Sequence, residues 1–451
     1  MAGEMVVAGV LRAEDGGFRR GRVHIADGVI TEVTTTDDPY TGLEDLIDVG
    51  RDYLLPGAVD AHVHSYSHGG EGLRASTSAA AAGGVTTVVE MPFDATGPVN
   101  DTDRLKAKQD RLADEAVVDV ALLGTCEPGG GWRRAAALAE QGVVGFKVSL
   151  FDTDPFRFPR IDDAELLDVM AAVRDAGSTL CTHAENNEII KALLNDPANR
   201  ASNDPRVHAK TRPPVSETLG LLTAMEIAAD RGNALHVCHL SLGRSAELVR
   251  WYREQGVDVS FETCPHYLLL TENDMKTGRL KINPPLRDAA NRDAMWRAVA
   301  EGLATVISSD HAPWPLELKD HERILDNHSG VPGTETLVAT TLGECLRRFG
   351  PGEEFGKAVD ALTANPADRY GIGHRKGRLR AGHDADLMVL TPTEDWLVDE
   401  TRLHSNAGWS PYARYAPGAR VTLTVARGEV VWSAEKGLLG PPGRGAQVTR
   451  R

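Results

Sequence analysis

Two rhythms of apolar and polar residues divide this chain. Residues 5–11, 21–25 and 29–34 are short runs rich in β-branched side chains, and Asp27-Gly28 is a dipeptide that closes tight hairpins. From residue 53 to about residue 310 the rhythm changes. Apolar runs at 53–64, 85–91, 117–124, 143–150, 179–183, 234–240, 257–263 and 304–309 alternate with Ala- and Leu-rich stretches of helical period, such as 164–175 and 217–230. Strands apolar on both faces belong to parallel sheets covered by helices, so eight strand–helix units predict an α/β fold, a closed (β/α)8 barrel of the TIM type. The β rhythm returns at 385–390, 421–426 and 428–432. The expected organisation is a barrel over 53–378 and a small β-sandwich built from both termini, 1–52 and 379–451. Gly440-Pro441-Pro442-Gly443-Arg444-Gly445 cannot readily hold regular structure and is expected to be a mobile tail.

Composition removes several classes of function. The chain has 451 residues, 25% of them charged, and a net charge of −16, which excludes nucleic acid and anionic membrane surfaces as expected partners. No run of 18 apolar residues is present and no basic segment leads into an apolar one near Met1, so neither a membrane span nor a secretory signal is expected. Five cysteines, an odd number without a Cys-x-x-Cys pair, fit a cytoplasmic protein and weigh against a thiolate zinc site.

The chemistry gathers where the apolar runs end, which in such a barrel is the face that carries active sites. His62 and His64 lie two apart on one strand, so both imidazoles point to the same side, as a metal-ligand pair requires. Lys147 interrupts an apolar strand, where a lone ammonium is costly unless it is neutral, paired or modified. The next strands end in His183 and His239, and the last in Asp310, where a metal-binding general base belongs. His236 and His239 are three apart and face opposite sides. Position favours His239 for the barrel mouth and leaves His236 a packed histidine. Four neutral imidazoles and one aspartate would under-neutralise two divalent cations. A carbamate formed on Lys147 would supply the missing anion.

These segments in this order resemble the cyclic amidohydrolases: allantoinases, dihydroorotases, hydantoinases and dihydropyrimidinases. The resemblance runs through Pro56-Gly57-Ala58-Val59-Asp60-Ala61-His62-Val63-His64, Gly145-Phe146-Lys147 and His183-Ala184-Glu185-Asn186. It continues through His236-Val237-Cys238-His239, Glu262-Thr263-Cys264-Pro265-His266-Tyr267, Asn283-Pro284-Pro285 and Ser309-Asp310-His311-Ala312-Pro313. It implies two divalent metal ions, zinc first. His62, His64 and Asp310 would hold one, His183 and His239 the other, and carbamylated Lys147 would bridge them. The implied reaction is hydrolysis of a cyclic amide, with Asp310 passing the proton of the attacking water to the leaving nitrogen. It also implies a homodimer or homotetramer. Asn283, Ser149, Tyr66 and Gly333 fall where relatives contact the ring. A different class, a non-catalytic assembly protein on the same fold, predicts gaps in the ligand set, and all six positions are filled here.

Local departures bear on the substrate. Dihydroorotases carry His-x-His-x-Arg, and here the arginine position is Tyr66. Their Met-Pro-Asn is Met91-Pro92-Phe93, and the tyrosine that hydantoinases place five residues after the bridging lysine is Asp152. Glu90-Met91-Pro92 and Glu262-Thr263-Cys264-Pro265-His266-Tyr267 are similar to allantoinases, although Ala312-Pro313-Trp314 departs from their Ser-Pro-Cys. Conversion of allantoin to allantoate is the first expectation, with dihydroorotase or hydantoinase/dihydropyrimidinase activity as the alternatives. Dihydroorotate is expected to be a poor substrate unless Arg157 or Arg160 reaches over the pocket.

Overall fold

The computed structural model describes residues 4–13, 15–35 and 46–451. Eight parallel strands follow one another in sequence order: Ala58–Val63, Val85–Glu90, Asp119–Gly124, Gly145–Ser149, Thr179–His183, Leu235–Val237, Val259–Thr263 and Val306–Ile307. Every residue in them is buried. Main-chain bonds close the ring at the C-terminal end of the strands, His64 N–H to His311 O at 2.8 Å and His311 N–H to His62 O at 3.1 Å. Helices cover the outside. Pro214–Arg231, for example, starts on a Pro-Pro step that fixes its first turn and ends at Gly232 with φ of 65°, the left-handed stop an L-residue resists.

The apolar run at 53–64 serves two sheets. Its first residues end the strand Leu46–Pro56, and after Gly57 the chain enters the barrel as Ala58–Val63. A side chain at Gly57 would lie 2.3 Å from Thr86 Oγ1, so only glycine lets the two sheets meet there. The second sheet draws strands from both termini. Met5–Arg12 pairs in parallel with Leu46–Pro56, and Leu387–Pro392 pairs antiparallel on its other side. Its eight strands form one hydrogen-bonded order that curls back on itself, for Val29 bridges Asp384 and Ile30 N–H reaches His383 O at 2.9 Å. Val7, Val23, Ile25, Ile30, Leu387 and Val425 fill the fold between its faces.

The Gly- and Pro-rich tail is not the mobile arm its composition predicts. Gly445 N–H bonds Ala116 O at 2.8 Å, Val120 N–H bonds Ala446 O at 3.0 Å, and Val448 is buried with Val59, Val89 and Tyr370 under the barrel. A side chain at Gly445 would lie 2.1 Å from Val118 O. Glycine here permits close approach rather than disorder. Among the described residues, no helix is long and apolar enough to cross a membrane.

Candidate metal centre

His62, His64, Lys147, His183, His239 and Asp310 line one cavity of about 80 Å3 at the C-terminal strand ends. The side-chain ligand atoms of His62, His64 and Asp310 lie within 4.8 Å of one another. His62 Nε2 stands 3.2 Å from His64 Nε2 and 3.4 Å from Asp310 Oδ1. On the other side, His183 Nδ1 is 3.1 Å from His239 Nε2. The rings of His62 and His239 lie 5.3 Å apart between centroids, so the two groups share one space.

Backbone geometry aims two of these side chains. His239 and Asp310 have φ of 39° and 46°, a left-handed conformation rare outside glycine. Each sits just past a strand end, where an extended residue would continue along the sheet. Strain held by tight packing is common at functional sites. Asp60 braces the turn into Asp310, accepting from Ser309 N–H at 2.9 Å and Ser309 O–H at 2.5 Å.

A layer of buried carboxylates fixes the rings. Glu262 accepts from His62 Nδ1, from His239 N–H at 3.2 Å and from His236 Nε2 at 3.3 Å, and His236 Nδ1 meets Ser260 Oγ at 2.7 Å. His236 therefore stays outside the cavity, as its register predicts, yet connects to His62 through Glu262. Glu185 holds His183 Nε2 at 2.8 Å and is held in turn by Arg212. Burial alone would raise the Glu185 carboxyl, but Arg212 and His183 outweigh it and bring it down to about 2.

Burial favours the neutral form of all four imidazoles. Burial, with the Lys147 charge nearby, depresses His62 to about 4 and moves His64, His183 and His239 down as well. Burial also pushes the Asp310 carboxyl well up, and Glu262 adds to the effect. Lys147 is 1% exposed, and its buried Nζ has no hydrogen-bond partner among the described residues. The Nδ1 of His239 is likewise unpartnered. Neutral imidazoles, a carboxylate and an orphaned amine suited to carbamate formation make a donor set that fits divalent metal ions.

The expected ring contacts separate. Asn283 lines the cavity, and its buried Oδ1 lacks a partner. Gly330 also lines it, whereas Gly333 is packed against Ser309, its N–H donating to His311 Nδ1 at 3.0 Å. Ser149 is fully buried and spends its hydroxyl on Phe151 O at 2.6 Å, closing a turn, so it offers the cavity no side-chain group. Tyr66 points away too, donating to Glu115 Oε2 at 2.8 Å. Asp152 is turned outward onto Lys191 at 2.6 Å. Of the two arginines in the loop after the fourth strand, Arg160 pairs with Glu188 at 2.6 Å and Arg157 lines the cavity.

Residues 53–431 match the sequence profile of the amidohydrolase family. The chain belongs to that family. This amidohydrolase is 36% identical over 434 residues to an allantoinase of Rubrobacter xylanophilus, covering 95% of this chain and 94% of that one. It is 32% identical to an allantoinase of Deinococcus radiodurans, with 98% of both chains covered. In structure it is similar to the L-hydantoinase (dihydropyrimidinase) of Arthrobacter aurescens, with a TM-score of 0.93, 28% identity and both chains covered in full. A D-hydantoinase at 23% identity and a TM-score of 0.88 shares the fold.

Proposed function

We propose that this amidohydrolase opens the ring of allantoin at a two-metal site. The observation that carries this reading is the buried, unpartnered Lys147 amine among four neutral imidazoles and Asp310. The full-length similarity to allantoinases points to the ring. His62, His64 and Asp310 would hold one divalent ion and His183 and His239 the other, with Lys147 between them as a carbamate. The same donors accept zinc, manganese, cobalt or iron, with zinc our first assignment. Bound there, the ions supply Lewis acidity that makes water a nucleophile near neutral pH and polarises an amide carbonyl.

The protein's own groups do the rest. Asp310 takes the proton from the attacking water and returns it to the departing ring nitrogen, so one carbon–oxygen bond forms as one carbon–nitrogen bond breaks. The product is a ureido acid. Asn283 Oδ1, free to accept, orients a ring N–H. Phe93 and Phe158, stacked on each other at the cavity wall, exclude water from one side of the ring.

The similarity to the L-hydantoinase structure supports a second reading, opening of hydantoin or dihydropyrimidine rings. Side-by-side kinetics of the metal-loaded protein on allantoin, hydantoin, dihydrouracil and dihydroorotate distinguish the two. We expect the highest kcat/KM on allantoin. A higher value on hydantoin or dihydrouracil would replace the first reading with the second, and no turnover of any ring would refute both.

A further inference from the structure

Arg157 comes from the loop after the fourth strand, yet it is anchored to loops that follow other strands. Its Nη1 donates to Ser67 O at 3.1 Å and Phe93 O at 3.4 Å, its Nε lies 3.6 Å from Asp154 Oδ2, and its guanidinium sits 5.5 Å from the centre of the Trp314 ring. These contacts use Nη1 and Nε. Among the described residues Nη2 makes no hydrogen bond; Asp310, the only carboxylate lining the inner cavity, is not bonded to Arg157, while Asp152 and Asp154 line the outer one, Asp154 on the Nε side of the guanidinium. A guanidinium held in place with donors unspent is a ready site for a planar acceptor.

Cavity shape indicates which part of a substrate would meet it. The inner cavity of about 80 Å3 opens into an outer one of about 550 Å3, and Arg157, Asn283, Ser67, Thr153, Trp314 and Ser329 line both. The inner space takes a reacting ring. A substituent on that ring must extend past this collar into the outer space.

We infer that Arg157 is a specificity-determining residue that donates from Nη2 to the carbonyl or carboxylate oxygen of a substituent on the ring. Resting on the proposed ring hydrolysis, this predicts a site that prefers rings bearing such a substituent over bare rings. For allantoin the acceptor is the ureido carbonyl. The same arginine gives the cavity a cation for a carboxylate, which the sequence position of Tyr66 does not provide.

The test compares Arg157→Ala and Arg157→Lys with the parent protein on allantoin and on unsubstituted hydantoin. Loosening the loop alone would lower both activities in parallel, so the ratio of the two kcat/KM values isolates substituent recognition. We expect Arg157→Ala to lower the allantoin-to-hydantoin ratio at least tenfold, mostly through KM for allantoin, and Arg157→Lys to restore part of it. An unchanged ratio overturns the inference. Calorimetric titration of allantoin and hydantoin into Asp310→Asn, with and without Arg157→Ala, reads the same preference without turnover. If the parent protein opens neither ring, the proposed function fails while these dissociation constants still decide the role of Arg157. Loss of the binding preference in the double variant supports the role, and no change refutes it.

Discussion

Glu262 decides which nitrogen of His62 faces the cavity. By accepting at Nδ1 it keeps the proton there and leaves Nε2, 3.4 Å from Asp310 Oδ1, as the free donor atom. Glu262→Gln is therefore expected to weaken metal binding about 10- to 100-fold, measured by chelator competition. Affinity equal to the parent protein's would remove Glu262 from this role. The signal for it was present in the sequence, because Glu262 interrupts an apolar strand just as Lys147 does, and so do Asp60 and Glu90. What one strand cannot tell is which neighbour each buried charge meets, since that depends on register between strands. Where the hydroxyls of Ser149 and Tyr66 point was not legible either. Their hydroxyls found nearer partners in Phe151 and Glu115.

At the scale of elements, the eight parallel strands were legible because each is buried on both faces and therefore reads as a continuous apolar run. The placement of the six cavity residues followed, because strand ends in a barrel converge. The loop after the fourth strand was legible only as far as its two arginines, Arg157 and Arg160, one of which lines the cavity. Phe158 and Arg157 obey no period, and their positions come from contacts with Phe93, Ser67 and Trp314. The tail misled because glycine and proline signal disorder and close packing alike. Besides its main-chain bonds, the tail is held by one buried apolar side chain, Val448, 1% exposed. Val448→Ala is expected to cost about 1–3 kcal/mol in urea unfolding, with the loss arising from a cavity under the barrel. A change within about 0.5 kcal/mol, the range of ordinary surface substitutions, would mean the Val448 side chain contributes nothing there.

Across the whole molecule, one buried lysine ties the barrel to the terminal sheet. Lys376 Nζ lies 2.6 Å from Asp119 Oδ2 on the third barrel strand and 2.8 Å from both Asp384 Oδ2 and Asp386 Oδ2, which precede the sheet strand Leu387–Pro392. Those carboxylates keep its amine charged despite burial. Lys376→Met would leave them without their shared cation, and we expect a loss of about 3–5 kcal/mol, read from the denaturant midpoint at constant slope. Stability unchanged by the substitution would show that the two parts hold together without it. Metal-dependent ring opening at the cavity is tested most directly by allantoin turnover during stepwise addition of zinc to chelator-stripped protein, with bound metal counted at each step. We expect no turnover without metal and a rise that levels off at two ions per chain. Full turnover by the stripped protein, or a plateau at one ion, would contradict that expectation.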